Sequence, residues 1–199
     1  MDVEPRLISH TPYPEEGGLI IKYHNEVRDT VGDLSGLVWS PVNQEPVVKE
    51  ANLKDNIPAL RADLTVRGVW DHQTEALLDI RVVDTDAQSY VNRSPMEVLG
   101  VAEKEKKMKY SLACEERRAA FTPFCCSVDG LLGHEAETFL RRLGDSLAVK
   151  WERSYCQVMG WVRARLVFAV LRSSIMCLRG ARTKWRGLGL EDGAPISLM

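Results

Sequence analysis

The strongest constraint on the fold comes from residues 76–83, Ala-Leu-Leu-Asp-Ile-Arg-Val-Val, which form a nearly continuous apolar run. Such a run is typical of a central strand that is covered on both faces of a sheet. Residues 64–70 alternate and are rich in β-branched side chains, so they predict a partner strand. The polar residues 71–75 between the two runs predict a hairpin turn. The chain is therefore expected to fold around this pair of strands.

Helical patterns lie on both sides of the hairpin. Apolar residues recur at three- and four-residue steps from Leu19 to Leu34, which predicts an amphipathic helix that ends near Gly36. Ser94-Pro-Met-Glu predicts a helix that starts with a capping box and continues to about Arg118. The remaining patterned segments are extended at 37–40 and 44–49, a short strand at 121–128, and helices at 134–147 and 152–178.

The order of these elements is helix, three strands, helix, strand and a helical C-terminal part, which predicts an α/β fold around a small mixed sheet. The 199 residues and their 45% apolar content suit one packed core. We divide the chain into an N-terminal segment (1–17), a core (18–130), a helical basic extension (131–186) and a flexible tail (187–199).

Composition limits the compartment and the class of protein. The five cysteines are odd in number, no CxxC pair occurs, and no leader-like segment is visible, so we expect an intracellular protein, nuclear or cytoplasmic, that is not secreted. The longest uncharged apolar stretch is too short for a membrane span. A net charge of -2 argues against a uniformly basic nucleic-acid coat protein.

Two aspartates flank the hairpin in a way that suits a cation. Asp63 stands just before the first strand and Asp79 lies inside the second, so the hairpin brings them near one another. Magnesium prefers such oxygen ligands. Spacing supports an alternative equally well, in which Asp79 pairs with Arg81 or with a helix lysine because an unpaired carboxylate among apolar neighbours is costly. In that alternative Asp63 merely caps a strand.

The helix that starts at Ser94 carries a run of lysines. At 100° per residue, Lys106 and Tyr110 share the face that should look onto the sheet, Lys107 lies at the edge of that face and Lys104 points away. A lysine run is usually a solvated face. An inward Lys106 needs a carboxylate or a phosphate as its partner.

The motifs in this order resemble the PD-(D/E)XK nuclease superfamily, and most closely the restriction-like endonuclease domain of site-specific non-LTR retrotransposons. The resemblance extends from Gly18 to Leu143, and its motifs are His24-Asn25, Glu45-Pro46, Arg-Ala-Asp63, Leu-Leu-Asp79-Ile-Arg81, Glu-Lys-Glu-Lys-Lys-Met-Lys-Tyr110 and Phe-Thr-Pro-Phe124. Two positions depart from the family pattern. Ala62 replaces a proline, and Arg81 replaces a lysine or threonine.

The resemblance implies a restriction-endonuclease-like core and a metal-dependent hydrolysis of phosphodiester bonds in DNA, with Mg²⁺ or Mn²⁺ as cofactor. It implies Asp63 and Asp79 as metal ligands, with Glu45 either as an outer ligand or as a surface acid. Lys106, or Lys107 if the helix register shifts, would orient the nucleophile or stabilise the phosphorane beside Tyr110. Arg81 stays protonated and cannot act as a general base, but its planar fork suits a phosphate oxygen. His24 is expected to be a packing residue rather than a ligand.

Basic residues concentrate near the C-terminus. Residues 150–186 contain nine bases against the single acid Glu152, a local charge of +8. Arg165, Arg172 and Arg179 are spaced by seven and form one stripe, and Lys184 and Arg186 flank Trp185. This stripe predicts contacts to DNA phosphates. The alternatives are pairing with acids of the neighbouring helix, Glu135, Glu137 and Asp145, or contact with a second copy in a homodimer.

Two further functions compete with the nuclease. One is a non-catalytic nucleic-acid-binding or protein-interaction module that keeps the fold. The other is a structural α/β domain in which Asp79, Arg81 and Lys106 form a buried charge network. No reverse-transcriptase signature occurs, so a polymerase partner would lie on another chain or a lost gene segment.

Overall fold

A four-stranded mixed sheet forms the centre of the protein. The computed structural model describes residues 16–51 and 58–180, which include this sheet. The helices are α1 (Glu16–Gly36), α2 (Pro95–Arg117), α3 (His134–Trp151) and α4 (Tyr155–Gly180). The strands are β1 (Val42–Gln44), β2 (Val47–Lys49), β3 (Leu60–Arg61), β4 (Leu64–Arg67), β5 (Glu75–Val83) and β6 (Ala120–Ser127), with a short 3₁₀ helix at Gln88–Tyr90.

The sheet order is β1-β4-β5-β6. The hairpin β4-β5 is antiparallel with Leu64 opposite Leu78, whereas β5 and β6 are parallel with Asp79 opposite Pro123. Helix α2 makes the crossover that a parallel pair requires. Strands β2 and β3 form a separate two-stranded ribbon. The expected α/β fold around a mixed sheet is confirmed.

Three predicted strand boundaries are wrong. Residues 37–40 are not extended, because the N–H groups of Val38 and Trp39 donate to the Ser35 carbonyl at the end of α1 (3.0 and 2.8 Å), and Trp39 is then buried against Phe139. The extended segment 44–49 is interrupted at Glu45, which has a φ of 50°. The strand predicted at 64–70 ends at Arg67, because Gly68 adopts a φ of 94° that suits glycine.

The start of α2 follows the sequence signal closely. The Ser94 hydroxyl accepts from the Glu97 N–H (3.3 Å), and the Glu97 carboxylate accepts from the Ser94 N–H (3.0 Å), which completes the predicted capping box. The helix ends where Arg118 turns to a left-handed φ of 52°. Helix α3 is longer than predicted and ends at Trp151, and α4 begins at Tyr155.

The two faces of the sheet are covered differently. One face, which includes Leu78, Ile80 and Phe124, packs with α1, α3 and α4 into one continuous apolar core. The other face lies under α2, where apolar residues form two smaller clusters, one around Leu77 and one around Val83. Within residues 16–51 and 58–180, no helix is long and apolar enough to span a membrane.

Candidate active site under helix α2

Asp79 lies between the two apolar clusters of the α2 face. Successive residues of a strand point to opposite faces, so Leu77, Asp79, Arg81 and Val83 of β5 share this face. Asp79 is only 5% exposed. A carboxylate in such a setting requires hydrogen-bond donors or cations around it.

Helix α2 supplies both kinds of partner. The Tyr110 hydroxyl lies 2.5 Å from Asp79 Oδ1 and donates to it, with the Arg61 carbonyl oxygen at the same distance, and the Lys106 ammonium forms an ion pair with Asp79 Oδ2. Residues four apart lie one above the other on a helix, which explains why Lys106 and Tyr110 reach the same carboxylate. Burial raises the pKa of Tyr110 far above its usual value, and the hydrogen bond to Asp79 and the charges of Asp79 and Asp63 act in the same direction. Tyr110 is therefore a neutral hydrogen-bond donor.

Asp63 occupies the position where β4 would continue alongside β5. Its backbone N–H donates to the Leu78 carbonyl (3.0 Å), and its Oδ2 accepts from the Ile80 N–H (2.5 Å). These two bonds hold Asp63 beside Asp79 on the neighbouring strand. Its Oδ1 lies 3.0 Å from Nε2 of His24 on α1. His24 thus contacts a candidate ligand directly, whereas the sequence suggested only a packing role.

The sequence did not single out Arg28, which lies one helical turn after His24 on α1. Arg28 is 8% exposed, and its guanidinium bonds both Asp29 (2.9 Å) and Glu45 (2.8 Å). The Glu45 N–H donates to the Asp63 carbonyl oxygen (2.9 Å), so Glu45 lies close to Asp63 through the backbone. Its carboxylate, however, is held by Arg28. The four-residue spacing of His24 and Arg28 is the signal that could have identified this pair.

The neighbouring charged residues take separate partners. Arg81 pairs with Glu105 of α2 at 2.5 Å, and Lys107 pairs with Glu135 at the start of α3. The lysine that meets Asp79 is therefore Lys106 and not Lys107. The structure therefore shows the pairing of Asp79 with a helix lysine that the sequence offered as an alternative to a metal site. Asp79 does not pair with Arg81, which binds Glu105.

The oxygen donors of this site that suit a divalent cation are the carboxylates of Asp63 and Asp79. Asp79 Oδ2 is buried and accepts no hydrogen bond from the described residues. Its one ion-pair partner among these residues is Lys106. Each carboxylate oxygen of Asp63 and Asp79 keeps lone pairs for a further partner. No group of three or more His, Cys, Asp or Glu side chains is arranged for a metal within the described ranges. Magnesium keeps several waters and is commonly bound through one or two carboxylates.

Glu103 is a buried carboxylate of the same helix with a structural task. Its Oε1 accepts from the Glu135 N–H (2.9 Å) and thereby caps α3, which has no side-chain cap of its own. Gly133 leaves the room for this carboxylate, because a Cβ there would lie 2.2 Å from Oε1. Burial raises the pKa of Glu103, and the nearby Glu135 charge adds to the effect.

The arginines of α4 have mixed surroundings. Arg172 pairs with Glu26 of α1 (2.9 Å), Arg163 pairs with Glu137 (3.6 Å), and Arg165 lies over the Trp161 ring. Among the described side chains of the stripe, Arg172 pairs with an acid, but this acid is Glu26 of α1 and not one of the acids expected. The expected acid Glu137 pairs with Arg163, which lies outside the stripe. The Arg179 side chain, Lys184 and Arg186 lie outside the described residues.

Comparison with known proteins adds no assignment to this geometry. No protein-family model matches the chain, and no curated protein is significantly similar to it.

Proposed function

We propose that the chain is a divalent-metal-dependent DNA endonuclease domain of the PD-(D/E)XK type, derived from a non-LTR retrotransposon or a related mobile element. Within the main sheet, the order α1, the antiparallel strands β1, β4 and β5, α2 and the parallel strand β6 supports a restriction-endonuclease-like core, and the ribbon β2–β3 is inserted between β1 and β4. The observation that carries the proposal is the buried Asp79, which meets Lys106 and Tyr110 on one side and has Asp63 on the next strand.

Each residue then has a definite task. Asp63 and Asp79 would hold Mg²⁺ or Mn²⁺, which supplies an activated water and neutralises charge on the scissile phosphate. Tyr110 donates to Asp79 Oδ1 and fixes the orientation of that carboxylate. Lys106 orients the nucleophile or stabilises charge on the phosphorane. Arg81 donates to a phosphate oxygen from the next inward position of β5.

Glu45 and Lys107 are weaker members of this group. Arg28 already binds the Glu45 carboxylate, and Glu135 binds Lys107. We assign both residues to the surroundings of the site. His24 and Arg28 position Asp63 and Glu45 from α1.

A nicking assay on supercoiled DNA tests the proposal. We expect the parent chain to nick DNA with Mg²⁺ or Mn²⁺ and to be inactive with EDTA. Asp79→Asn should reduce the rate at least about 100-fold, because it removes a metal ligand with little change of shape. Asp145→Asn is the matched control, since it makes the same change at an exposed position of α3. Equal cleavage by Asp79→Asn and the parent would contradict the proposal.

A second candidate is a non-catalytic nucleic-acid-binding or interaction module with the same fold. It is favoured by the way the charges already satisfy one another, with Lys106 on Asp79 and Glu105 on Arg81. Metal binding separates the two functions. A nuclease should gain thermal stability from Mg²⁺ or Mn²⁺ and should lose that gain in Asp63→Asn. If the charges instead form a closed network without a metal site, Mg²⁺ or Mn²⁺ should change the thermal stability of neither the parent nor Asp63→Asn.

A further inference from the structure

A small cavity lies beside the candidate active site. It has a volume of about 160 Å³ and lies between β5 and the first half of α2, and its lining includes Arg81, Tyr90, Arg93, Glu105, Val98 and Ala102. Arg81 is two residues after Asp79 on the same face of β5, so the two Cα atoms are separated by about 6.6 Å. The cavity and Asp79 therefore lie side by side along the α2 face of β5.

The charges of this cavity suit an anion. Glu105 holds one nitrogen of Arg81, which leaves further N–H groups of the guanidinium to donate elsewhere. Arg93 is exposed and forms no ion pair with any residue in the described ranges. Its backbone N–H donates to the Tyr90 carbonyl (2.8 Å), so the two residues are tied together just before α2. Two guanidinium groups around one opening form a site for phosphate.

Tyr90 adds a flat surface to the same opening. It ends the 3₁₀ helix and is half-buried against the apolar cluster of Val83, Val98 and Leu99. A fixed aromatic ring next to cationic groups is the arrangement that binds single-stranded nucleic acids, because bases stack on the ring while the cations hold the backbone. A base can stack there only when it has left the duplex.

We propose that this cavity binds the nucleotide next to the scissile phosphate in an unpaired state, with its phosphate on Arg81 and Arg93 and its base on Tyr90. The substrate class is then DNA with an unpaired or displaced nucleotide beside the cleaved bond. This inference rests on the proposed nuclease function and deepens it.

Binding of labelled oligonucleotides tests the proposal, with Ca²⁺ in place of Mg²⁺ to prevent turnover. The two probes are a fully paired duplex and the same duplex with one unpaired nucleotide. The parent chain should bind the second probe about tenfold more tightly, as expected for one stacked base. Tyr90→Leu, which keeps an apolar contact, should abolish this preference, and Tyr90→Phe should retain it.

Arg93→Gln provides a second and independent variant, since its side chain is exposed and its loss should not disturb folding. It should weaken binding and reduce the slope of log affinity against log salt by about one phosphate contact. The matched control is Arg67→Gln, at the opposite end of the sheet beside Glu75, which should change neither the preference nor the slope.

The outcomes separate this inference from the proposed function. Equal binding of both probes by the parent, or an unchanged preference in Tyr90→Leu together with an unchanged slope in Arg93→Gln, overturns the cavity as a nucleotide site. If Asp79-dependent nicking persists in that case, the nuclease proposal stands without it. A parent chain that neither binds nor nicks DNA overturns both. Should Tyr90→Leu fail to fold, the Arg93→Gln slope decides the question.

Discussion

The two faces of the sheet divide stability and chemistry between them. The face under α1, α3 and α4 belongs to one continuous apolar cluster, with Thr122 as a buried polar residue, and Phe124 and Phe139 meet there with ring centres 6.1 Å apart. The face under α2 is divided by Asp79 and Arg81, each of which pairs with a charged residue of α2. A protein that places charges at the middle of one face needs its other face to supply most of the folding free energy.

The largest effect is expected on the apolar face. Phe139→Ala should lower the free energy of unfolding by about 3–5 kcal/mol, because the side chain is fully buried and leaves a cavity. Urea denaturation measures the change. Phe168→Ala is the matched control, since this phenylalanine of α4 is 63% exposed and its loss should cost little. Equal losses in the two variants would mean that the apolar face does not dominate stability.

A paired replacement on the α2 face should have the opposite consequence. In the double variant Asp79→Leu with Lys106→Met, a buried ion pair becomes an apolar contact, which in other proteins is neutral or stabilising by about 1–4 kcal/mol. We expect the free energy of unfolding to be unchanged or higher and DNA nicking to be lost. The single variant Asp79→Leu should be less stable than the double variant, because Lys106 then lacks its partner. A large loss of stability in the double variant would show that the ion pair supports the fold.

A smaller effect is expected at the start of α2. Ser94→Ala removes the side-chain acceptor of the Glu97 N–H and should lower the free energy of unfolding by about 1 kcal/mol. Ser94→Asp restores an acceptor and should recover most of this loss. If Ser94→Ala proved neutral by thermal denaturation, the anchoring of α2 would reside in its contacts with the sheet.

The smallest effect concerns pH and the buried Glu103. Because burial raises its pKa in the folded state, folding favours the protonated form, and the associated stability is lost as the pH rises from the ordinary value of 4.5 through the raised pKa. Glu103→Gln keeps an acceptor for the Glu135 N–H and removes the charge. Its unfolding free energy should fall less than that of the parent over this pH range. Parallel pH profiles would indicate that Glu103 is not penalised by burial.

Some features of the fold and of the site could be predicted from the sequence, and others could not. The capping box at Ser94, the hairpin of β4 and β5, and the common face of Lys106 and Tyr110 all follow from local rules of spacing and capping, so they could be predicted. The strand predicted at 37–40 does not form, because Trp39 is buried by packing against Phe139 and not by pairing with a neighbouring strand. Arg28 was missed since its partner Glu45 is distant in sequence.

The sequence by itself determined the positions of the four helices and of the β4–β5 hairpin, and that Asp63 and Asp79 flank this hairpin, because periodicity and turn chemistry act over a few neighbouring positions. Only the tertiary structure decided which charges meet. It placed Lys106 rather than Lys107 on Asp79, gave Glu105 to Arg81, and brought His24 of α1 to Asp63. Such pairings depend on how α1 and α2 pack against the sheet, since a shift of one residue turns a helix by about 100° and would give Asp79 a different partner.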